Sequence, residues 1–243
     1  MSLFKSTKLL LWHIKQSVKS IFSYPEMCIS HVDYDKYWLD KRGDNIGALS
    51  DWQKMRADFI LEVIGKSQYS FVDMGCGDGS VLNYLKENNA VSRAVGIDVS
   101  SLALDRAKKF GIEPVQADIN AREFLEKIPQ ADYLILFEIL EHIEHSEDML
   151  KAAYAKTEKG VFFSFPNTGF LSYRLRLLFG RFPVQWRLYP GEHLRFWTRK
   201  DLKWWLDALG YKDYKIFGYK GVPIMNKIWP ALFAAGFVVY IKK

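Results

Sequence analysis

Tyr69-Ser70-Phe71-Val72-Asp73-Met74-Gly75-Cys76-Gly77-Asp78-Gly79-Ser80 is the stretch on which the fold turns. An apolar run, Phe71, Val72 and Met74, ends in glycines at alternate positions, Gly75, Gly77 and Gly79. Val81, Leu82 and Leu85 then recur at helical spacing. A strand, a tight turn and a helix start in direct succession are the layout of a nucleotide-binding crossover unit. Glycine serves such a turn twice, by adopting φ > 0 without steric cost and by letting a ligand press against bare backbone. An ordinary glycine-rich βα turn has the same look, so the turn alone does not choose a ligand.

Outward from it the βα alternation is regular. Ala94 to Asp98 reads as a second strand, and Ser100-Ser101 caps a helix to Phe110 that Gly111 stops. Glu113 to Gln116 is a short third strand. The apolar run Ala131 to Phe137 suits a central strand buried on both faces. Ser146 is expected to cap a helix ending before Gly160, followed by a fifth strand, Val161 to Phe165. Thr198 with Asp201 resembles a capping box for a helix to Leu209, and Tyr211 to Tyr219 and Phe237 to Lys242 read as closing strands. Upstream, Ser50-Asp51 caps a helix over 51–64 with Met55, Phe59, Ile60 and Val63 on its apolar side. Strands alternating with helices make an α/β fold, a parallel sheet with helices on both faces.

The glycine spacing is G-x-G-x-G with an acid, Asp73, in the strand end, not the dinucleotide G-x-G-x-x-G. Phe71 to Gly79 resembles the first motif of the class I S-adenosylmethionine (SAM) dependent methyltransferases. That resemblance implies a Rossmann-like, seven-stranded, mostly parallel sheet and an enzyme that transfers methyl groups. It also implies cofactor contacts at Asp73, Gly75, Cys76, Gly77 and Gly79 of the turn. Asp98 and Val99 end the second strand, where an acid accepts from ribose hydroxyls. Asp118 and Ile119 follow the third, beside adenine, and Phe137 and Glu138 form the floor. All of these lie at the carboxyl ends of strands, where open α/β sheets bind ligands.

Glu138-Ile139-Leu140-Glu141-His142 is a second constellation. At i, i+3 and i+4 two carboxylates and an imidazole converge on one side, a plausible ligand set for Mg²⁺ or Mn²⁺. Glu192-His193 could supply a fourth ligand. The order Glu138, Glu141, His142 and then His193 before Phe196-Trp197-Thr198-Arg199 is similar to the small-RNA 3′-end 2′-O-methyltransferases, and E-x-x-E-H is shared with the ubiquinone-pathway O-methyltransferases. The resemblance implies a metal on Glu138, Glu141, His142 and His193 that grips adjacent acceptor hydroxyls, with His142, Glu141 and His193 catalytic. A base or substrate contact without metal, and a structural role, remain open. His145 could also serve as base, although it is expected to be an exposed surface histidine. Ser164 to Asn167, Arg174 to Pro183, His193-Leu194 and Thr198 to Asp201 also resemble MetW-type proteins, which would make the chain a SAM-binding regulatory partner of a biosynthetic enzyme.

With 243 residues, 49% hydrophobic and 26% charged, the chain fits one globular core. A net charge of +6 permits an acidic partner: a phosphorylated substrate, a membrane surface or, less favoured, nucleic acid. Two cysteines, Cys28 and Cys76, read as free thiols of a reducing, cytoplasmic setting; there is no zinc spacing, and a secretory signal is not expected. Residues 1–47 read as a lead and cap, and 48–243 as the methyltransferase domain with a substrate-side insertion over 166–199. Within the lead, residues 3–22 form a basic amphipathic helix that packs on the domain or contacts a membrane surface. Residues 31–47, with Tyr34, Tyr37 and Trp38, suit a cover for the cofactor. The insertion carries six arginines and one acid, which suits an anionic acceptor or a solvated basic helix. Ile228 to Ile241 is uncharged but is too short for a membrane span and contains Pro230 and Gly236, so it reads as sheet with a buried connection. The function expected is O-methylation of a hydroxyl on a small or anionic acceptor, with a membrane-peripheral quinone or lipid methyltransferase as the alternative. Oligomeric state is not legible.

Overall fold

The computed structural model describes residues 15, 18, 19, 21–24, 32–42, 47–185 and 189–243, with 41, 42 and 190 as backbone only. Seven strands form one sheet: β1 (Tyr69–Met74), β2 (Val91–Asp98), β3 (Glu113–Gln116), β4 (Ala131–Phe137), β5 (Thr157–Pro166), β6 (Tyr214–Tyr219) and β7 (Gly236–Lys242). Their order is β3-β2-β1-β4-β5-β7-β6, and β7 alone runs antiparallel to its neighbours. The helices are α1 (Tyr34–Arg42), α2 (Asp51–Ile64), α3 (Ser80–Glu87), α4 (Ser101–Lys108), α5 (Ser146–Ala155), α6 (Leu171–Leu178), α7 (Arg199–Ala208) and two single turns, α8 (Met225–Ile228) and α9 (Pro230–Phe233).

Strand side chains alternate between faces, so the sheet carries two cores. On one face Val72, Met74, Leu134, Leu136, Phe163 and Val239 meet α5 and α7 through Met149, Leu150, Leu202 and Leu206. On the other, Phe71, Ile135, Phe162 and Val238 meet α2 and α3 through Ala57, Ile60, Leu82 and Leu85. β1 and β4 are thereby covered on both sides, as their near-continuous apolar sequence requires.

Capping explains several boundaries. Ser50 and Gln53 form a capping box on α2, and Thr198 and Asp201 form one on α7. Ser100 accepts from the Ala103 N–H at the start of α4. Ser146 differs from its expected role: it is the first helical residue of α5, His145 occupies the cap position, and the Ser146 hydroxyl instead donates to the carbonyls of Leu140 and Ile143. β2 and β5 begin earlier than their apolar stretches, at Val91 and Thr157, because neighbouring strands extend the ladder past the apolar residues. β6 starts at Tyr214, not Tyr211, whose side chain joins the core.

Most of the helix expected over 3–22 lies outside the described residues; 15, 18, 19, 21 and 22 are helical. The insertion at 166–199 contains α6 and returns to the sheet by an isolated bridge between Asn167 and Trp197. The β6–β7 connection is not buried: Ile228 and Trp229 are exposed. Among the described residues no helix is long and apolar enough to cross a membrane.

Candidate functional site

A cavity of about 550 Å³ opens at the carboxyl ends of β1, β2, β4 and β5. The glycine turn forms its base. Gly75, Gly77 and Gly79 all have positive φ, 72°, 55° and 76°. The backbone of Gly77 is approached by the chain itself: an added Cβ would lie 2.1 Å from Cζ2 of Trp38. α1 therefore lies over the turn, and hydrogen bonds among the described residues hold this cover. Asp35 accepts from the Ser100 hydroxyl and the Leu102 N–H, Arg106 Nη1 donates to the Trp38 carbonyl at 2.9 Å, and the Gly47 N–H donates to Asp78 Oδ2 at 3.2 Å.

Asp98 accepts from the Gly77 N–H at 2.8 Å through Oδ2 and from the Ser100 N–H at 2.9 Å through Oδ1. Each oxygen keeps a second lone pair for a ligand hydroxyl. Asp73 is fully buried, and burial, with the Asp98 charge adding, pushes its carboxyl up to about 8. Asp118 is exposed, in a tight turn closed by the Asn120 N–H. Asp73, Gly75, Cys76, Asp98, Val99, Asp118, Ile119, Phe137, Glu138, His142 and His193 all line the cavity. Gly77, Gly79 and Glu141 do not: Trp38 covers the first, the second packs on Ile112 and Ala107, and the third is buried.

The wall opposite the turn contains a charged network. Glu138 has φ 56°, a left-handed value that a non-glycine residue rarely holds. Its Oε1 takes Arg56 Nη1 at 2.8 Å, the Ser164 hydroxyl at 2.8 Å and the Tyr219 hydroxyl at 3.0 Å. Arg56 is buried, its guanidinium lies over the Phe137 and Tyr219 rings, and its Nε has no hydrogen-bond partner. Arg56, Trp52 and Gln53 line the cavity, and sequence reading missed them. The signal for Arg56 was present: it lies three and four residues before Phe59 and Ile60 on the buried side of α2.

Beyond Glu138 the chain enters a 3₁₀ turn, Leu140–His142. The insertion folds back onto it. The Glu141 carbonyl accepts from the N–H groups of Leu194 and Arg195, at 2.8 and 3.1 Å. His142 Nδ1 donates to the Glu192 carbonyl at 3.0 Å. These links bring His193 against His142, ring centroids 4.6 Å apart and planes at 87°. Candidate ligand atoms of Glu141, His142 and His193 all lie within 4.8 Å of one another. Glu138 is not in this group, since Arg56, Ser164 and Tyr219 draw its carboxylate toward the other wall.

Both imidazoles have a defined tautomer. The Gln185 amide nitrogen donates to the Pro166 carbonyl at 3.4 Å and to Thr168 Oγ1 at 2.8 Å, so its oxygen faces His193 Nδ1 at 2.9 Å and that nitrogen carries the proton. In both rings the basic nitrogen is Nε2. Burial lowers the His142 pKa, and burial with the neighbouring His142 takes His193 down to about 3, so both are neutral at pH 7. Glu141 is buried with no hydrogen bond to either carboxylate oxygen, and burial raises its pKa well above the usual range. A buried carboxylate without donors, beside two neutral imidazoles, has the donor set and the unmet charge demand of a cation site. His145, expected at the surface, is buried as the cap residue of α5 and does not line the cavity.

The arginine-rich loop is largely structural. Arg174 donates to the Gly169 carbonyl, Arg176 to the carbonyls of Phe182, Ile21 and Ser23, Arg181 to Phe22 and Arg195 to Glu144. Among the described residues none of the insertion's arginines lines the cavity.

Three comparisons bear on this arrangement. A family described as a methyltransferase domain matches residues 44–216. The mitochondrial ubiquinone biosynthesis O-methyltransferase of Candida albicans is 28% identical over 70% of this chain, and the match spans about half of that protein, 54%. The ubiquinone biosynthesis O-methyltransferase of Pseudomonas entomophila is 23% identical over 81% of this chain and 89% of its own. In fold, the chain is similar to a SAM-dependent methyltransferase from Archaeoglobus fulgidus, with a TM-score of 0.57, 18% identity, and coverage of 87% of this chain and 100% of that one.

Proposed function

Because the chain belongs to the methyltransferase domain family and is a SAM-dependent methyltransferase, we propose that it methylates a hydroxyl oxygen of a small acceptor held between Arg56, Trp52 and the cluster Glu141, His142 and His193. The relatives named above support oxygen as the atom methylated. Asp98 suits the cofactor's ribose hydroxyls, Asp118 and Ile119 suit adenine, and the carboxyl of Asp73 suits the positive methionine half. The acceptor oxygen attacks the methyl carbon in line with the departing sulfur; an O–C bond forms, the S–C bond breaks with its electron pair left on sulfur, and the hydroxyl proton leaves to a base. The protein aligns the two reactants and provides for that proton.

We assign Glu141 and the Nε2 atoms of His142 and His193 as ligands of a divalent cation, with Glu138 left out. When bound, such a cation lowers the pKa of a coordinated hydroxyl. The observation that carries this is the Glu141 carboxylate, buried with neither oxygen hydrogen-bonded. Two neutral imidazoles complete a set that suits Mn²⁺ better than Mg²⁺. Without metal, His142 Nε2 is the base, oriented by the Glu192 carbonyl.

The test is Mn²⁺ titration followed by electron paramagnetic resonance, alongside methyl transfer from labelled SAM with and without chelator. Wild type should bind one Mn²⁺ and lose turnover on chelation. Glu141→Gln should lose Mn²⁺ while keeping its affinity for S-adenosylhomocysteine. Chelator-resistant turnover with no bound Mn²⁺ would give the proton to His142 alone.

A further inference from the structure

The two imidazoles of the cluster are oriented by different kinds of partner. His142 Nδ1 donates to a main-chain carbonyl, that of Glu192. His193 Nδ1 faces a side chain, Gln185 Oε1, at 2.9 Å. Gln185 lines the cavity, yet the reaction as derived so far gives it no part.

The Gln185 amide is itself held. Its nitrogen meets the Pro166 carbonyl at 3.4 Å and Thr168 Oγ1 at 2.8 Å. A carbonyl only accepts, so the amide nitrogen faces Pro166 and the amide oxygen is left for His193. The segment that supplies these acceptors is fixed in turn. Asn167 is fully buried; its amide nitrogen donates to the carbonyls of Ala231 and Ala234, and its oxygen accepts from the Gly169 N–H. The Thr168 N–H donates to the Trp197 carbonyl at 3.0 Å. Gln185 thus carries the fixed end of β5 across to His193.

His193 has a competing acceptor on its other side. Neither oxygen of buried Glu141 is hydrogen-bonded, and candidate ligand atoms of Glu141, His142 and His193 lie within 4.8 Å of one another. A neutral imidazole carries one ring proton. On Nδ1, that proton leaves Nε2 with its lone pair. On Nε2, it would be shared with Glu141, and one hydrogen bond would then occupy the imidazole lone-pair position and a carboxylate oxygen together. We propose that Gln185 is the positioning residue of this cluster: its Oε1 keeps the His193 proton on Nδ1, so that His193 Nε2 and Glu141 both keep lone pairs for a third species instead of bonding to each other. The use of those lone pairs on a divalent cation rests on the cation reading proposed above; the tautomer does not.

A merely structural tie between β5 and the insertion would behave differently. The carbonyl that orients His142 belongs to Glu192, the residue before His193. Were Gln185 needed only to hold that segment in place, its loss would disturb both histidines. As a positioning residue it acts on His193 alone.

The chain has five histidines, so long-range proton–nitrogen correlation spectra of the histidine-labelled, metal-free full chain at neutral pH can report each tautomer, with His142→Gln and His193→Gln to assign the two signals. Wild type should show both rings protonated on Nδ1. In Gln185→Leu the His193 proton should move to Nε2 while His142 keeps its tautomer, Mn²⁺ affinity should weaken about 10–100-fold, and S-adenosylhomocysteine affinity should be unchanged. Gln185→Glu should restore both the tautomer and Mn²⁺ binding, because its carboxylate still accepts from Nδ1 and the Thr168 hydroxyl can turn to donate to it. Should Gln185→Leu fail to fold, Gln185→Met, closer in shape, provides the same arm. His193 protonated on Nε2 in wild type, or a His193 tautomer that survives the loss of the amide, overturns the proposal. Loss of both tautomers together overturns it in favour of a structural tie. A shift confined to His193, with no Mn²⁺ bound even by wild type, upholds the positioning and overturns the cation reading alone.

Discussion

Asp73 lies in a strand end with no solvent, and its carboxyl pKa reaches about 8 because burial opposes the charge and Asp98 repels it. The unfolded chain ionises this group near the usual aspartate value. Between roughly pH 4 and 8 the folded protein therefore binds the proton that the unfolded chain has released, and stability falls as pH rises, by at most about 1.4 kcal/mol per pH unit. Denaturant unfolding at a series of pH values should show this slope, and Asp73→Asn should flatten it. A cationic ligand reverses the preference, so S-adenosylmethionine affinity should weaken as pH falls below 8 in wild type and become flatter in Asp73→Asn. A slope unchanged by the substitution would mean that Asp73 is ionised in the free protein. Sequence placed Asp73 at the strand end before the glycine turn but gave no hint of its protonation, which depends on its burial, on Asp98 from β2 and on Arg56 from α2.

At the scale of elements, the strands were legible because a glycine turn and doubly buried apolar runs report local chemistry. α6 was legible only as the solvated basic helix that was one alternative for the insertion, whereas its Arg176 is buried and spent on carbonyls, two of them from the other end of the chain. The same holds for Glu138. E-x-x-E-H spacing placed it beside Glu141 and His142, yet Arg56, Ser164 and Tyr219 from three other elements turn it away. Spacing along one element predicts neighbours within it, not the competing partners that tertiary structure brings. Gln185, which sets the tautomer of His193, gave no signal at all. Arg176→Met removes a buried charge together with its hydrogen bonds to three carbonyls, leaving those carbonyls to find other donors. Thermal or denaturant unfolding should show a loss on the order of 3 kcal/mol or more. Loss of those bonds should also open the N-terminal helix to limited proteolysis near residues 21–24.

For the whole molecule, the sheet holds two jobs apart. The β1–β3 half, with α1 laid over its glycine turn, carries Asp73 and Asp98, proposed for the cofactor, while the turn after β4 and the insertion carry Glu141, His142 and His193. Trp38 on Gly77 is the contact that closes the first half. Trp38→Ala should accelerate exchange of bound S-adenosylhomocysteine, measured by stopped-flow displacement, while leaving Mn²⁺ binding unaltered. If metal binding falls in parallel, the two halves are not separable.

The cluster depends on contacts across 50 residues of chain, from His142 to Glu192, whereas the glycine turn and Asp98 are joined across 21. Loop closure makes the longer contact slower to form. During synthesis the N-terminal part of a chain leaves the ribosome first. A growing chain would thus have made its glycine turn and Asp98 well before the insertion that completes the cluster of Glu141, His142 and His193.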